Sequence, residues 1–254
     1  MSNYPDSARR IMVALDYERA EEAKQLLNKL RGIPCYVKVG MQLFYAAGPD
    51  FILYLKSEGY RVFLDLKLHD IPNTVKGGAN SITRLGVDMF NVHAAGGLKM
   101  MQAAVEGVDE AMAIRPSSGS DPGSVTYDHI KPIVIGVTQL TSTSQTILND
   151  EIGIGGPIEE AVIRYAQTAK TAGLQGVVAS PIEVGKIKER CGANFLTITP
   201  GIRPIGADIG DQSRVMTPKD AFDQGTDYVV IGRPITAAPD PRQALESIIE
   251  SSEL

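Results

Sequence analysis

The sequence predicts an α/β protein: a single (β/α)8 TIM barrel domain spanning residues 1–254. Three observations predict it. Eight short, nearly all-apolar runs recur along the chain, an amphipathic stretch follows each, and glycine or proline marks many of the junctions. Apolar runs without alternation are expected of parallel strands covered on both faces. A doubly wound open sheet is the competing arrangement. It usually carries a glycine fingerprint after its first strand, and that position here reads LDYERA.

In chain order, IMVAL (11–15) is a strand followed by a helical pattern over 18–31. CYVKVG (35–40) precedes a helix over 48–58, and VFLDLK (62–67) one over 74–86. MFNVH (89–93) leads to 96–107, IVIGVT (133–138) to 157–173, and GVVAS (176–180) to 181–191. FLTIT (195–199) and YVVIG (228–232) precede helices over 217–225 and 240–250. Asn73-Thr74, Pro157 and Thr217-Pro218 mark helix starts. Gly59, Gly86, Gly173 and Gly192 occupy positions where a left-handed residue ends a helix. The polar stretch 113–129, AIRPSSGSDPGSVTYDH, reads as a surface loop on the barrel face away from the strand C-termini. No segment reads as a linker to a second domain.

Composition narrows the function. Of 254 residues 43% are hydrophobic, enough for a sizeable core, and the formal net charge is -5. That sign argues against nucleic-acid or anionic-membrane partners. No run approaches the ~18 apolar residues of a transmembrane helix. The start, MSNYPDSARR, has no apolar signal core, so a cytoplasmic protein is expected. Cys35 and Cys191 read as buried thiols rather than a disulfide framework. The three histidines lack ligand spacing, so no metal site is expected, with a carboxylate–Mg²⁺ arrangement at Asp65 and Asp70 as the weaker alternative.

Chemistry concentrates at the strand ends, where barrel enzymes keep their active sites. Strand one ends in Asp16, which would alternatively cap the next helix. Strand two carries Lys38, a buried amine that requires a carboxylate. Strand three carries Asp65 and Lys67, two apart and therefore on one face of a regular strand, and then Asp70 at the turn. Strand four ends in His93, which reads either as a satisfied core histidine or as one supporting the site from behind. Alternating lysines and aspartates hold fixed charge near a reacting carbon: the ammonium delivers a proton and the carboxylates keep it charged.

The last third of the chain suggests a phosphate site. TPGIR (199–203) and IGR (231–233) end strands seven and eight, where barrels often bind phosphate. Gly201 and Gly232 allow close backbone approach, and Arg203 and Arg233 offer forked donors. The intervening polar loop would place Gln212 on the ligand.

The runs FLDLKLHDIPNTV, NVHAAGG, VTQLTSTS, LTITPGIR, GDQSRV and VVIGRPIT together resemble the bacterial type of orotidine 5'-monophosphate decarboxylase, from residue 14 to residue 236. The DLKxHDIPNT stretch is the specific part. Pro234 stands where some members have a small polar residue; its ring restricts the backbone of Arg233, the residue before it, but leaves the guanidinium able to donate. The resemblance implies a (β/α)8 homodimer with shared active sites, acting without metal or organic cofactor on orotidine 5'-monophosphate to give UMP and carbon dioxide, the final step of de novo UMP synthesis. It implies that Lys67 protonates C6 beside Asp65, with Lys38 and Asp16 at the ribose and supporting the charges. Asp70 and Thr74 would come from the other subunit, Asp70 completing the array and Thr74 at the ribose 2'-hydroxyl. Thr141 would touch the pyrimidine, and Pro200 would lie by the base and carboxylate. Gln212, Arg203, Gly232 and Arg233 would hold the phosphate. Related sugar-phosphate barrels share part of this array but work through Mg²⁺ and an enediolate. Lys38, the run DIPNT (70–74) and Gln212 distinguish this chain from them.

Overall fold

In the computed structural model, residues 4–113, 131–204 and 216–253 are described. Eight parallel strands close a barrel in sequential order, each beside its chain neighbours and β8 beside β1. The strands are β1 (Ile11–Ala14), β2 (Tyr36–Gly40), β3 (Arg61–Leu68), β4 (Met89–His93), β5 (Ile133–Val137), β6 (Gly176–Val178), β7 (Leu196–Thr199) and β8 (Tyr228–Ile231). All eight lie where the apolar runs place them.

The helices are α1 (Ala20–Leu30), α2 (Met41–Ser57), α3 (Pro72–Arg84), α4 (Gly97–Ala113), α5 (Ile158–Thr171), α6 (Val184–Cys191), α7 (Pro218–Asp223), α8 (Arg233–Thr236) and α9 (Pro241–Ser251). Four differ from expectation. Helix α4 runs to Ala113, six residues beyond the expected end at 107. Helix α2 begins at Met41 rather than residue 48, because a first helical piece joins the predicted one across a kink at Gly48 (φ 69°) before Pro49. Helix α3 begins at Pro72, whose missing N–H costs nothing in a first turn, and not at Asn73-Thr74. The one-turn α8 is too short to leave a periodic signal. The predicted loop at 113–129 lies, apart from Ala113 at the end of α4, outside the described residues. No described helix is long and apolar enough to cross a membrane.

The strands separate two cores. Val37, Val39, Val62, Leu64, Phe90 and Val92 face outward and pack beneath the helices. Met12, Tyr36, Phe63, Met89, Ile135, Ile198 and Val230 fill the barrel interior. Both faces of each strand are therefore apolar, which is why the runs show little alternation. Cys35 and Cys191 are buried and unpaired with each other. Burial pushes the Cys35 thiol up to about 12, which leaves it inert.

A repeated clasp secures the floor. Gly86, Gly173 and Gly225, all at positive φ, close the helices ahead of β4, β6 and β8. Two residues later stand Asp88, Gln175 and Asp227. Each donates its backbone N–H to the carbonyl of Val62, Val134 or Thr197 on the preceding strand. Each also accepts that same residue's N–H on its side chain, at 2.7 Å in all three cases. Lys56 and Lys188 neutralise the two aspartates. The corresponding position before β2 is Pro34, which has no N–H to donate.

This predicts the cost of removing a clasp. Asp227→Ala leaves the Thr197 N–H without its acceptor and takes the counter-charge from the largely buried Lys188 ammonium, which keeps only the Ala193 and Phe195 carbonyls. Stability should fall by about 2–4 kcal/mol and the melting temperature by about 5–12 °C. Thermal and urea unfolding check this, and a change within about 0.5 kcal/mol would contradict it.

Candidate active site

Inward alternation builds the site directly above the barrel core. Tyr36 on β2, Phe63 on β3 and Met89 on β4 belong to the interior cluster. Two residues on, toward the strand C-termini, stand Lys38, Asp65 and Asn91. The Lys38 side chain is only 11% exposed, so its ammonium must be paired. Its Nζ lies 3.1 Å from Asp16 Oδ1 and 3.5 Å from Asp65 Oδ2. Asp16 therefore does not cap α1, whose N-cap is Arg19 with no side-chain bond. Gly40 leaves the ammonium its space, since a Cβ there would stand 3.3 Å from Nζ.

Lys67 reaches the same carboxylate by a route the strand pattern does not give. The β3–β4 register passes from Leu64 opposite Phe90 to Leu68 opposite Val92. Residues 65–67 thus bulge opposite Asn91 alone. Lys67 has φ 52°, the only positive value at a non-glycine among the described residues. That conformation costs roughly 1–2 kcal/mol in an L-residue. The expectation that Asp65 and Lys67 meet because they share one face of a regular strand is therefore corrected. They meet because the chain bulges, with the Lys67 N–H donating to Asn91 Oδ1 at 2.7 Å. Lys67 Nζ then donates to Asp65 Oδ1 at 2.7 Å.

Asp65 is the hub. Its side chain is 14% exposed and receives Lys38, Lys67 and the Asn91 amide, the last at 2.7 Å. Burial by itself would raise its pKa. The charges of Lys38 and Lys67 and the hydrogen bonds from Lys67 and Asn91 outweigh that and hold it below the ordinary carboxylate value.

These groups line one end of a cleft of about 610 Å³, a size that suits a nucleotide. Val178, Ile198, Pro200 and Val230 give it an apolar wall. Thr141, Gly201, Arg203, Gly232 and Arg233 border it as well, on the loops after β5, β7 and β8. Gly201 has φ 79°, a turn that favours glycine. Arg203 is buried, and its Nη1 donates to the Ile202 carbonyl. Ile202 pairs with Met216, and the Arg203 N–H bonds the Met216 carbonyl, so the two ends of the intervening segment are joined. Gln212 lies outside the described residues.

Asp70 and Thr74 are not brought into this cleft. Asp70 is exposed and accepts the Ile71 N–H at 2.6 Å. Thr74 is exposed on the first turn of α3. The segments that follow β2, β3 and β4 carry exposed apolar side chains: Met41, Tyr45 at 74%, Ile71 at 67%, and Leu98. His93 stacks on His69 with ring centres 5.4 Å apart. Burial, then the positive character of His69 and Lys67, lowers its pKa and favours the neutral ring.

Among the described residues, no group of three or more His, Cys, Asp or Glu side chains is placed to hold a metal. Asn91 and the cleft residues Gln139 and Ser142 were not anticipated from sequence. A signal for Asn91 existed: an amide inside MFNVH, two residues beyond an inward methionine.

Comparison with known proteins agrees with this geometry. The profile of the family described as Orotidine 5'-phosphate decarboxylase / HUMPS matches residues 9–248. The orotidine 5'-phosphate decarboxylase of Bacillus mycoides is 49% identical over 243 residues, covering 96% of this chain and 97% of that one. The Bacillus anthracis enzyme of the same name shows the same identity and coverage. Among solved structures, orotidine 5'-phosphate decarboxylase from Lactobacillus acidophilus superposes with a TM-score of 0.81 at 41% identity, covering 97% of this chain and 100% of that one. An uncharacterised conserved protein from Geobacillus kaustophilus gives 0.80 at 42%, covering 95% and 99%. The closed eight-stranded barrel, the Asp65-centred charges at its mouth and a family match across nearly the whole length lead to one conclusion: this chain belongs to the orotidine 5'-phosphate decarboxylase / HUMPS family.

Proposed function

We propose that this chain decarboxylates orotidine 5'-monophosphate to UMP and carbon dioxide, the last step of de novo pyrimidine nucleotide synthesis. In this reading it acts as a homodimer with shared sites and uses neither metal nor organic cofactor. One observation carries the reading: a single largely enclosed carboxylate, Asp65, holds both Lys38 and Lys67 in a cleft that also bears two arginines.

The chemistry follows from that arrangement. Loss of carbon dioxide breaks the bond from C6 to the carboxyl carbon and leaves the electron pair on C6. No neighbouring group can take up that pair, so the site must stabilise it electrostatically and protonate it. Lys67 does both, its ammonium transferring the proton that forms the new C–H bond. Asp65 keeps Lys67 charged and faces the substrate carboxylate, so a repulsion in the ground state disappears as carbon dioxide leaves. Lys38, supported by Asp16, adds positive charge and meets the ribose. Thr141 and Pro200 border the base. Arg203, Arg233, Gly232 and Gln212 grip the phosphate, whose binding energy presses the carboxylate toward Asp65.

The partner's share is supported by where residues 70–74 lie. Asp70 and Thr74 are exposed and do not line their own cleft, Ile71 between them is exposed, and Tyr45 on the segment after β2 is exposed as well. An apolar rim of this kind suits a second copy of the chain. In the dimer Asp70 completes the other subunit's array, and Thr74 reaches its ribose 2'-hydroxyl.

Two experiments test this. Lys67→Ala should lower kcat at least about 10³-fold while UMP binding by calorimetry stays within about tenfold, and wild-type release of carbon dioxide should persist under a strong chelator. Complete loss on chelation would refute metal-free action, and ribulose 5-phosphate chemistry without orotidine 5'-monophosphate turnover would refute the substrate. Mixing and refolding Lys67→Ala with Asp70→Ala should restore about a quarter of wild-type activity, because half of the dimers then hold one intact site. No recovery would exclude shared sites.

A further inference from the structure

Asn91 is 1% exposed and sits beneath the bulge of β3 without lining the cleft. Its side chain makes two bonds at once. Oδ1 accepts the Lys67 N–H at 2.7 Å. Nδ2 donates at 2.7 Å to Asp65 Oδ1, the same oxygen that receives Lys67 Nζ. The amide has one permitted orientation, because an N–H needs an acceptor and a carboxylate needs a donor. Serine is too short to reach both partners, and leucine leaves both without one.

We propose that Asn91 is a positioning residue for the charge array, fixing the left-handed backbone of Lys67 and the Asp65 carboxylate together, so that the Lys67 ammonium stands at the reacting carbon. This rests on the decarboxylase reading above. The observations join three features nothing else unites. Lys67 is the one described non-glycine at positive φ. Its N–H lies where the β3–β4 ladder is interrupted, and the Asn91 carbonyl oxygen replaces the strand partner it lost. The same amide also grips the hub of the array. Aspartate could not serve at neutral pH, since it would set a second negative charge against Asp65.

The charged groups around Asp65 are Lys38 from β2 and Lys67 from β3, with Asp16 beyond Lys38 and, in the dimer proposed above, Asp70 of the other subunit beside Lys67. His93 of β4 lies near Lys67 and favours its neutral form. Removing Asn91 therefore takes a donor from Asp65 directly and frees the Lys67 backbone that aims a second donor at it. The carboxylate loses a bond that stabilises its anion, so its pKa rises and the acidic limb of kcat moves to higher pH.

The test compares wild type, Asn91→Ala and Asn91→Asp by pH-dependent decarboxylation, UMP calorimetry and carbon-13 NMR titration of the Asp65 carboxyl. For Asn91→Ala, kcat should fall about 100-fold while KM and UMP affinity change by less than about threefold. The NMR titration of Asp65 should shift upward. Asn91→Asp keeps an acceptor for the Lys67 N–H and regains a donor only when protonated, so its activity relative to wild type should rise as pH falls. Wild-type kcat with an unmoved Asp65 titration in Asn91→Ala overturns the proposal, as does a kcat loss matched by equal loss of UMP binding. If the alanine variant does not fold, a pH-independent ratio for Asn91→Asp overturns it instead. If wild type releases no carbon dioxide, the decarboxylase reading fails, and the NMR shift still decides whether Asn91 sets Asp65.

Discussion

One largely enclosed carboxylate organises the mouth of this barrel. Asp65 accepts from Lys38, Lys67 and Asn91, groups delivered by three adjacent strands. Two ammonium groups placed so near each other repel and lose water, and neither has reason to be there unless a shared anion offsets both costs. The anion in turn stays ionised at low solvent exposure only because those donors converge on it. Each group makes the others tolerable, and the resulting charges are fixed before any ligand arrives. Preorganisation of this kind lets electrostatics act on a transition state without reorganising the site.

The barrel divides stability from chemistry between its two ends. At the floor, Asp88, Gln175 and Asp227 each tie a strand to its predecessor through a backbone bond and a side-chain bond. At the mouth, backbone regularity is given up. The β3–β4 ladder is interrupted, and Lys67 is held in a conformation L-residues avoid. A secured floor lets the mouth carry that local cost.

Much of this was legible in the sequence, for physical reasons. Strands buried on both faces are apolar throughout, so all eight runs stood out against their surroundings. Lys38 and Asp65 were conspicuous because charge inside such a run has no packing purpose. The glycines at 86 and 173 marked helix ends, as their positive φ angles bear out. What escaped was non-local or irregular. The bulge is invisible to a period-two reading, which put Lys67 beside Asp65 on a regular strand. The amide of Asn91 acquires its purpose only when β3 and β4 are side by side. Helix α8 and the first part of α2 are too short, or too interrupted at Gly48 and Pro49, to show periodicity. The exposure of Asp70 outside its own cleft is likewise a fact of folding, not of spacing.

The account depends on where a nucleotide sits relative to Lys67 and on which subunit supplies Asp70. A crystal structure with bound UMP measures both directly. It should place Lys67 Nζ within hydrogen-bond reach of C6, the phosphate against Arg203 and Arg233, and Asp70 from a neighbouring chain beside Lys67. A pyrimidine ring far from Lys67, or an Asp70 side chain confined to its own subunit's site, would contradict it.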